Sequence, residues 1–395
     1  MKIAVGLSGG VDSSVVAYLL KQQGHDVIGV FMRNWNDASV TLGEECPWVE
    51  DSHDALLVAK KLGIPFQVVD MSEHYKETIV DYMFSEYRKG RTPNPDVLCN
   101  REVKFKQFLD TALSLGVDKV ATGHYARVEE KKITKGSIFR LLEGVDADKD
   151  QSYFLCQLNQ YQLSKALFPV GSLTKPEVRM LAKGVGLPTA EKKDSQGLCF
   201  IGKVSLPKFL KQQLAPKKGD IIEIFRDFPG FSKEKPTSFS SKLEELRYLS
   251  AEYKYQPHEG KKIGEHQGAH YYTVGQSRGL GIGGHKESCF VLYRDVEQNV
   301  VYVGEGHTFP GLYRKALKIA PRDIHWIRPD LALKNNESQA LKVRIRYRQK
   351  LEDATLYQYE EGLFIEFDAP QSAVAKGQFA AWYLEEELLG SGVIS

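Results

Sequence analysis

The chain has 395 residues, 53 basic against 51 acidic side chains for a formal charge of +2, and 42% hydrophobic content. That balance excludes a disordered or fibrous chain and a generic polycation, so any nucleic-acid contact must come from local clustering. At about 150 residues per domain, the length calls for two or three domains.

The opening run, residues 1–7, is apolar too briefly for a signal peptide, and no stretch approaches the roughly 18 apolar residues of a membrane span. The five cysteines, Cys46, Cys99, Cys156, Cys199 and Cys289, are scattered. They form no Cys-x-x-Cys pair and no dense disulfide scaffold. A cytoplasmic protein with free thiols is the expectation.

In chain order, residues 2–7 read as a buried strand, 13–23 as a helix stopped by Gly24, and 27–31 as a second strand. Residues 54–62 have helical spacing, 66–70 are a third strand, 103–115 a helix and 117–122 a fourth strand. This alternation predicts a parallel α/β sheet, with ligands at the carboxyl ends of its strands. Helical signals run on to about residue 185, where Thr174-Lys-Pro-Glu177 has the form of a capping box and Gly186 and Pro188 mark the stop.

Beyond about residue 219 the pattern becomes β-rich, with strands expected at 271–274, 290–293, 300–303, 341–347, 363–367 and 379–384. Pro310-Gly311 and the stretch around Pro321 offer breaks between two small barrels or sandwiches. Residues 226–258 are the least patterned and read as a long surface insertion. The domains expected are 1–205, 206–312 with the insertion near 225–258, and 313–395.

Three segments carry chemistry. Gly6-Leu-Ser-Gly-Gly-Val-Asp-Ser-Ser14 joins the first strand to the first helix. Small residues there let backbone amides approach phosphate oxygens at a helix N-terminus, and the Ser8 and Ser13 hydroxyls add donors. Neither a Walker loop nor a Gly-x-Gly-x-x-Gly fingerprint is present. In Arg91-Thr-Pro-Asn-Pro-Asp-Val-Leu-Cys-Asn100, two prolines stiffen the chain around Asn94 and Asp96. Cys99 is expected just ahead of a helix, where the dipole, Arg101 and Lys104 favour a thiolate. In Lys193-Asp-Ser-Gln-Gly-Leu-Cys-Phe-Ile-Gly202, Cys199 sits in a glycine-flanked loop. Two such cysteines can exchange sulfur if the fold brings them together. Taken singly, each is more readily read as a small buried hydrophobe.

The loop resembles that of the ATP pyrophosphatases, in which it holds pyrophosphate and the acid matching Asp12 handles Mg2+ or the leaving group. Together with Asn94-Pro-Asp-Val-Leu-Cys-Asn100, Asp148-Lys-Asp-Gln-Ser-Tyr-Phe154 and Gly197-Leu-Cys-Phe-Ile-Gly202, the chain resembles the bacterial tRNA-specific 2-thiouridylases over nearly its whole length. Thr122-Gly-His-Tyr125, Phe168-Pro-Val-Gly171, Gly264-Glu-His-Gln-Gly268, Gly279-Leu-Gly-Ile-Gly-Gly284 and Arg346-Tyr-Arg348 add to the match.

The resemblance implies an α/β ATP pyrophosphatase domain, a small central domain and a C-terminal β-barrel. It implies ATP-dependent replacement of the 2-oxygen of the tRNA wobble uridine by sulfur. Cys199 would carry the persulfide and Cys99 would attack it, leaving a transient Cys99–Cys199 disulfide. Gly6, Leu7, Ser8, Gly9, Gly10, Val11, Asp12, Ser13, Met32 and Gly123 would line the ATP site. Asn94, Pro95 and Asp96 would meet the base, while His124, Lys149, Asp150, Gln151, Arg346, Tyr347 and Gln378 would touch tRNA. Mg2+ accompanies ATP, an upstream sulfur carrier or cysteine desulfurase supplies the persulfide, and neither a resident metal nor a permanent cofactor is expected. The chain is expected to act as a monomer away from membranes.

One further signal comes from the residues themselves. Lys342, Arg344, Arg346, Arg348 and Lys350 occupy alternate positions, which on a strand would form one basic face suited to phosphate. A solvated, lysine-guarded edge strand fits equally well. Two features depart from the family pattern: the long segment at 225–257, and Gln276-Ser-Arg278 where Gln-Arg-Lys is usual. Cys46, Cys156 and Cys289 are read as structural. Competing readings are a small-molecule ligase of the ATP pyrophosphatase type, a noncatalytic tRNA-binding protein, and an iron–sulfur site using Cys99, Cys199 and another ligand.

Overall fold

A computed structural model describes residues 1–34, 47–134, 136–193, 206–211, 213–231, 236 and 238–395. The first seven strands are β1 (Lys2–Gly6), β2 (Asp26–Arg33), β3 (Phe66–Asp70), β4 (Lys119–Ala121), β5 (Ala126–Ile133), β6 (Gly136–Glu143) and β7 (Ala166–Leu167). Five of them make a parallel sheet in the order β3-β2-β1-β4-β7. Alternation along β1 feeds two cores. Ile3 and Val5 pack with Val15 and Val16 of α1 (Val11–Gln22) and Val58 of α2 (Pro47–Leu62), while Ala4 packs on the other face with Phe108 and Leu109. The α/β reading of this part holds, and no described helix is long and apolar enough to cross a membrane.

Several strands escaped the sequence reading, β5 and β6 among them. Where helix was expected, β5 and β6 form a hairpin, and β6 pairs with the last strand of the chain through Leu142↔Glu387 and Leu141↔Leu388. The N-terminal third therefore extends the C-terminal sheet. Gly136, at φ +103, is a local turn signal, but neither ARVEEKKI nor GSIFRLLE alternates apolar and polar residues, so the hairpin had no strand signature to read among the neighbouring helical segments.

The central sheet has the order β10-β11-β8-β9, from β8 (Gly219–Glu223), β9 (Lys261–His266), β10 (Cys289–Asp295) and β11 (Val300–Glu305). Residues 271–274, expected as a strand, instead begin with Tyr271 as the last residue of a short 3-10 turn, Ala269–Tyr271.

The last six strands are β12 (Tyr313–Trp326), β13 (Ser338–Arg344), β14 (Glu352–Tyr359), β15 (Gly362–Ser372), β16 (Phe379–Leu384) and β17 (Glu387–Ile394). They close into a barrel because β12 pairs with β15 through its first half and with β17 through its second. The change of partner falls between Ile319 and Ile324, and Pro321 lies at that shift. The signal read as a domain break is thus a barrel corner, a place where a strand tolerates proline.

The presumed surface insertion is also part of the packed structure. Its helix Lys242–Ser250 is capped by Ser241, whose Oγ accepts from the Glu244 amide at 3.2 Å. Leu246 is fully buried against Ala316 and Phe364 of the barrel. Phe228, Phe231, Tyr253 and Tyr255 from the flanking chain pack beneath the central sheet.

Candidate active site

The loop after β1 closes on itself. Gly9 has φ +74, and a Cβ there would strike the Asp51 backbone, so this turn admits little but glycine. The Ser8 amide donates to Ser13 Oγ at 3.2 Å, and the Ser13 and Ser14 hydroxyls donate to the Gly10 carbonyl at 3.1 and 2.8 Å. Gly10 caps α1 without a side-chain bond, which leaves the first-turn amides without a capping side chain.

Gly123, two residues past the end of β4, lies against this turn: a Cβ would sit 3.0 Å from both Asp12 Cβ and the Ser13 nitrogen. A Cβ on Gly6 would meet Met32 Cε at 3.1 Å. The structure thus gathers Gly6 to Ser13, Met32 and Gly123 at the carboxyl ends of β1, β2 and β4, where an α/β sheet takes its ligands.

Asp12 brings in two residues to which no role was assigned from the sequence. Lys175 Nζ donates to both of its carboxylate oxygens, at 2.7 and 2.8 Å, and the Tyr125 hydroxyl donates at 2.8 Å. Lys175 opens the helix Lys175–Val185, in which Glu177 accepts from the Thr174 amide at 2.7 Å and Gly186 closes with φ +67. The capping box was legible. Its lysine turning back to Asp12 was not, because that contact joins residues far apart in the chain.

The second segment begins its helix earlier than expected. Asn94 Oδ1 accepts from the Val97 amide at 3.3 Å, Pro95 takes the first helical position, and Cys99–Gln107 continues the run as a π-helix. Cys99 therefore sits inside the helical run rather than ahead of it, fully buried in the core cluster that also holds Met32 and Val103. Cys199 and Cys46 lie outside the described residues.

Both other domains grip the stretch just before Asn94. Arg294 of β10 donates to the Gly90 carbonyl at 2.9 Å and to Thr92 Oγ1 at 2.8 Å. Gln378 Nε2 donates to the carbonyls of Thr92 at 2.9 Å and Pro93 at 3.3 Å, and the Thr92 amide donates to the Lys376 carbonyl at 2.8 Å. Burial pulls the Arg294 guanidinium down to about 10.

His124 is buried beside Phe105 and Phe168. Lys104 Nζ lies 3.5 Å from its Nε2, and Thr122 Oγ1 lies 2.7 Å from its Nδ1. An ammonium only donates, so Nε2 accepts and Nδ1–H donates to the threonine hydroxyl. Burial first, then the charge of Lys104, holds the ring neutral.

The residues grouped as tRNA contacts separate. Asp150 is turned inward, accepting from the amides of Gly144 at 3.0 Å and Ser152 at 3.1 Å, from Ser152 Oγ at 2.9 Å and from Arg344 Nη1 at 3.1 Å. Gln151 accepts from the Tyr125 amide at 3.1 Å, while Lys149 is half-buried. The five-residue basic face does not form. Arg344 is buried in ion pairs with Asp150 and Glu143, strand β13 ends there, and the chain turns through Arg348 at φ +66. The alternation was real in the sequence, but buried carboxylates claimed one of its charges. Arg346, Arg348 and Lys350 remain exposed, and half-buried Tyr347 lies 4.3 Å from Phe154, ring centre to ring centre.

Burial, the leading cause in each case, raises the Cys156 thiol to about 12 and the Cys289 thiol to about 11. Both are held protonated at neutral pH.

Residues 1–203 match the family described as tRNA methyl transferase HUP domain, 253–305 its PRC-barrel domain, and 316–394 an aminomethyltransferase beta-barrel domain. A protein of Flavobacterium johnsoniae named tRNA-specific 2-thiouridylase MnmA is 60% identical over 394 residues, covering 100% of both chains. The protein of the same name from Karelsulcia muelleri is 48% identical over 100% of this chain and 98% of its own. The chain belongs to the tRNA-specific 2-thiouridylase family. More distant members such as that of Streptococcus uberis keep 42% identity over 100% of this chain and 95% of their own. The thiouridylase family thus accounts for all three domains in one continuous match. Among solved structures, a 4-thiouridine synthetase in complex with RNA and bound ATP aligns over 54% of this chain and 50% of its own at 17% identity. Its TM-score is 0.32, too low to decide anything about this fold.

Proposed function

We propose that the protein is a tRNA-uridine 2-sulfurtransferase that uses ATP to exchange the 2-oxygen of the wobble uridine for sulfur. The observation that carries the reading is the end-to-end match to named thiouridylases, in a chain whose glycine-serine loop of the pyrophosphatase type follows β1 and whose Cys99 helix is buried in the core beneath the same sheet.

A carbonyl oxygen is a poor leaving group, so the uridine 2-oxygen first attacks the α-phosphorus and pyrophosphate departs. The Ser8 and Ser13 hydroxyls and the helix amides suit the pyrophosphate charge. The Asp12 carboxylate, a hard oxygen donor beside that loop, suits Mg2+ arriving with ATP, which would draw charge from the phosphates. Lys175 holds Asp12 in place meanwhile.

Sulfur then comes from a persulfide on Cys199. Cys99 attacks the inner sulfur, either releasing hydrosulfide that displaces AMP from C2, or freeing a persulfide sulfur that has already displaced it. In both orders one S–S bond breaks and a Cys99–Cys199 disulfide forms, while C–S replaces C–O. A two-electron reductant then restores the thiols. Asn94, Pro95 and Asp96 would position the base, with His124, Lys149, Asp150, Gln151, Arg346, Tyr347 and Gln378 on the tRNA side. Because the carboxylate of Asp150 is engaged internally, its part would be to position its neighbours. A cytoplasmic monomer fed by a sulfur carrier or cysteine desulfurase completes the proposal.

The test is mass analysis of tRNA after incubation with ATP and a persulfide donor. Sulfur-for-oxygen exchange with release of AMP and pyrophosphate is expected for the wild type, and its loss for Cys99→Ser and Cys199→Ser. A methylated product, no mass gain, or turnover that survives both substitutions would overturn the reading.

A further inference from the structure

The central sheet carries a second cluster of ligand atoms that the proposed reaction does not use. Cys289 begins β10 opposite Glu305 of β11, and Val303 of β11 lies beside Glu223 of β8. Paired residues share a face, and so do positions two apart on a strand. Cys289, Glu305 and Glu223 therefore point to the same side of the sheet.

The chain covers that side by turning at Gly284, φ +86, which brings His285 down onto it. His285 Nε2 lies 3.1 Å from Glu223 Oε1, and the ligand atoms of Glu223, His285 and Cys289 all lie within 4.8 Å of one another. Glu223 and Cys289 are buried, and His285 Nδ1 is buried without a hydrogen-bond partner among the described residues.

We propose that Glu223, His285 and Cys289 form a divalent metal site whose donor set suits zinc. A thiolate, an imidazole and a carboxylate are the sulfur, nitrogen and oxygen donors that zinc accepts together, whereas magnesium and calcium call for oxygen throughout. A tetrahedral ion with bonds of about 2.0–2.3 Å keeps its ligand atoms roughly 3.3–3.8 Å apart, a spacing that small side-chain rotations reach from the present cluster. On binding, the Cys289 thiol proton passes to solvent, and thiolate and carboxylate together match the two positive charges. Glu305, whose carboxylate accepts from the Glu287 amide at 2.8 Å, adds negative charge at the rim. The ion would tie the glycine-rich 279–284 segment to the sheet through His285.

The experiment titrates chelator-treated full-length protein with Co2+ as a visible probe and then displaces it with Zn2+. It is run on the wild type and on a Cys99→Ser/Cys199→Ser background, so that no signal comes from those thiols. One equivalent with thiolate-to-cobalt charge-transfer absorption is expected in both. Cys289→Ser should abolish that absorption. His285→Ala, which leaves the buried strands untouched, should weaken binding by more than the about 10–100-fold cost of losing an outer-shell partner. Absence of the absorption, or its persistence unchanged in both variants, would overturn the site.

Discussion

At the scale of single residues, burial and one charged neighbour set the chemistry of His124. Its pKa is depressed in the folded protein by burial and by Lys104. The unfolded chain, with a histidine pKa near 6.5, therefore binds the proton first as pH falls. The contribution of His124 to stability is complete above about pH 6.5 and is lost as the pH drops below it toward the folded value. Melting temperature should fall on acidification from neutral pH to about 5, and His124→Gln should flatten that slope, as differential scanning fluorimetry would show. An equal slope in the variant would contradict the assignment. The phosphate-type loop was legible here because every part of it is local. The Lys175–Asp12 pair and the Cys289–His285–Glu223 cluster were not, since each joins residues that meet only after the sheets form.

The elements show how a weak local pattern becomes decisive through packing. Residues 242–250 have apolar side chains at Leu243, Leu246 and Leu249, which is helical spacing, yet the surrounding prolines and charges hid it. In the structure Leu246 is sealed against Ala316 and Phe364, and Arg247 and Lys242 reach Glu361 and Glu366. Leu246→Ala should cost about 2–5 kcal/mol, the usual penalty for a leucine truncated in a packed core. A denaturant melt that shifts by less than the about 0.5 kcal/mol typical of surface substitutions would mean that the helix does not pack as described. Burial, absent from any local reading, likewise turned Arg344 from a member of an exposed basic row into the internal partner of Asp150.

For the whole molecule, two of the ties between the three domains are the β5–β6 hairpin, which extends the barrel sheet, and the Thr92–Pro93 stretch held by Arg294 and Gln378. This second junction lies directly before the Asn94 cap and the cysteine helix. Gln378→Ala removes two hydrogen bonds, each worth about 0.5–1.5 kcal/mol, while leaving the barrel strands paired. Amide exchange across residues 91–97 should quicken while that of β13 and β14 stays unchanged. Equal protection in the variant would show that the barrel does not hold this segment.

Composition, strand-helix alternation and clustered short motifs were enough to read the α/β half, its nucleotide-type loop and the family resemblance, because those signals lie within a few residues of one another. Barrel closure at Pro321, the hairpin donated across domains, the inward turn of Asp150 and the gathering of Glu223, His285 and Cys289 lay beyond that reach. Each depends on which distant strand, charge or apolar surface a residue meets, and long-range pairing and burial settle that only when the chain folds.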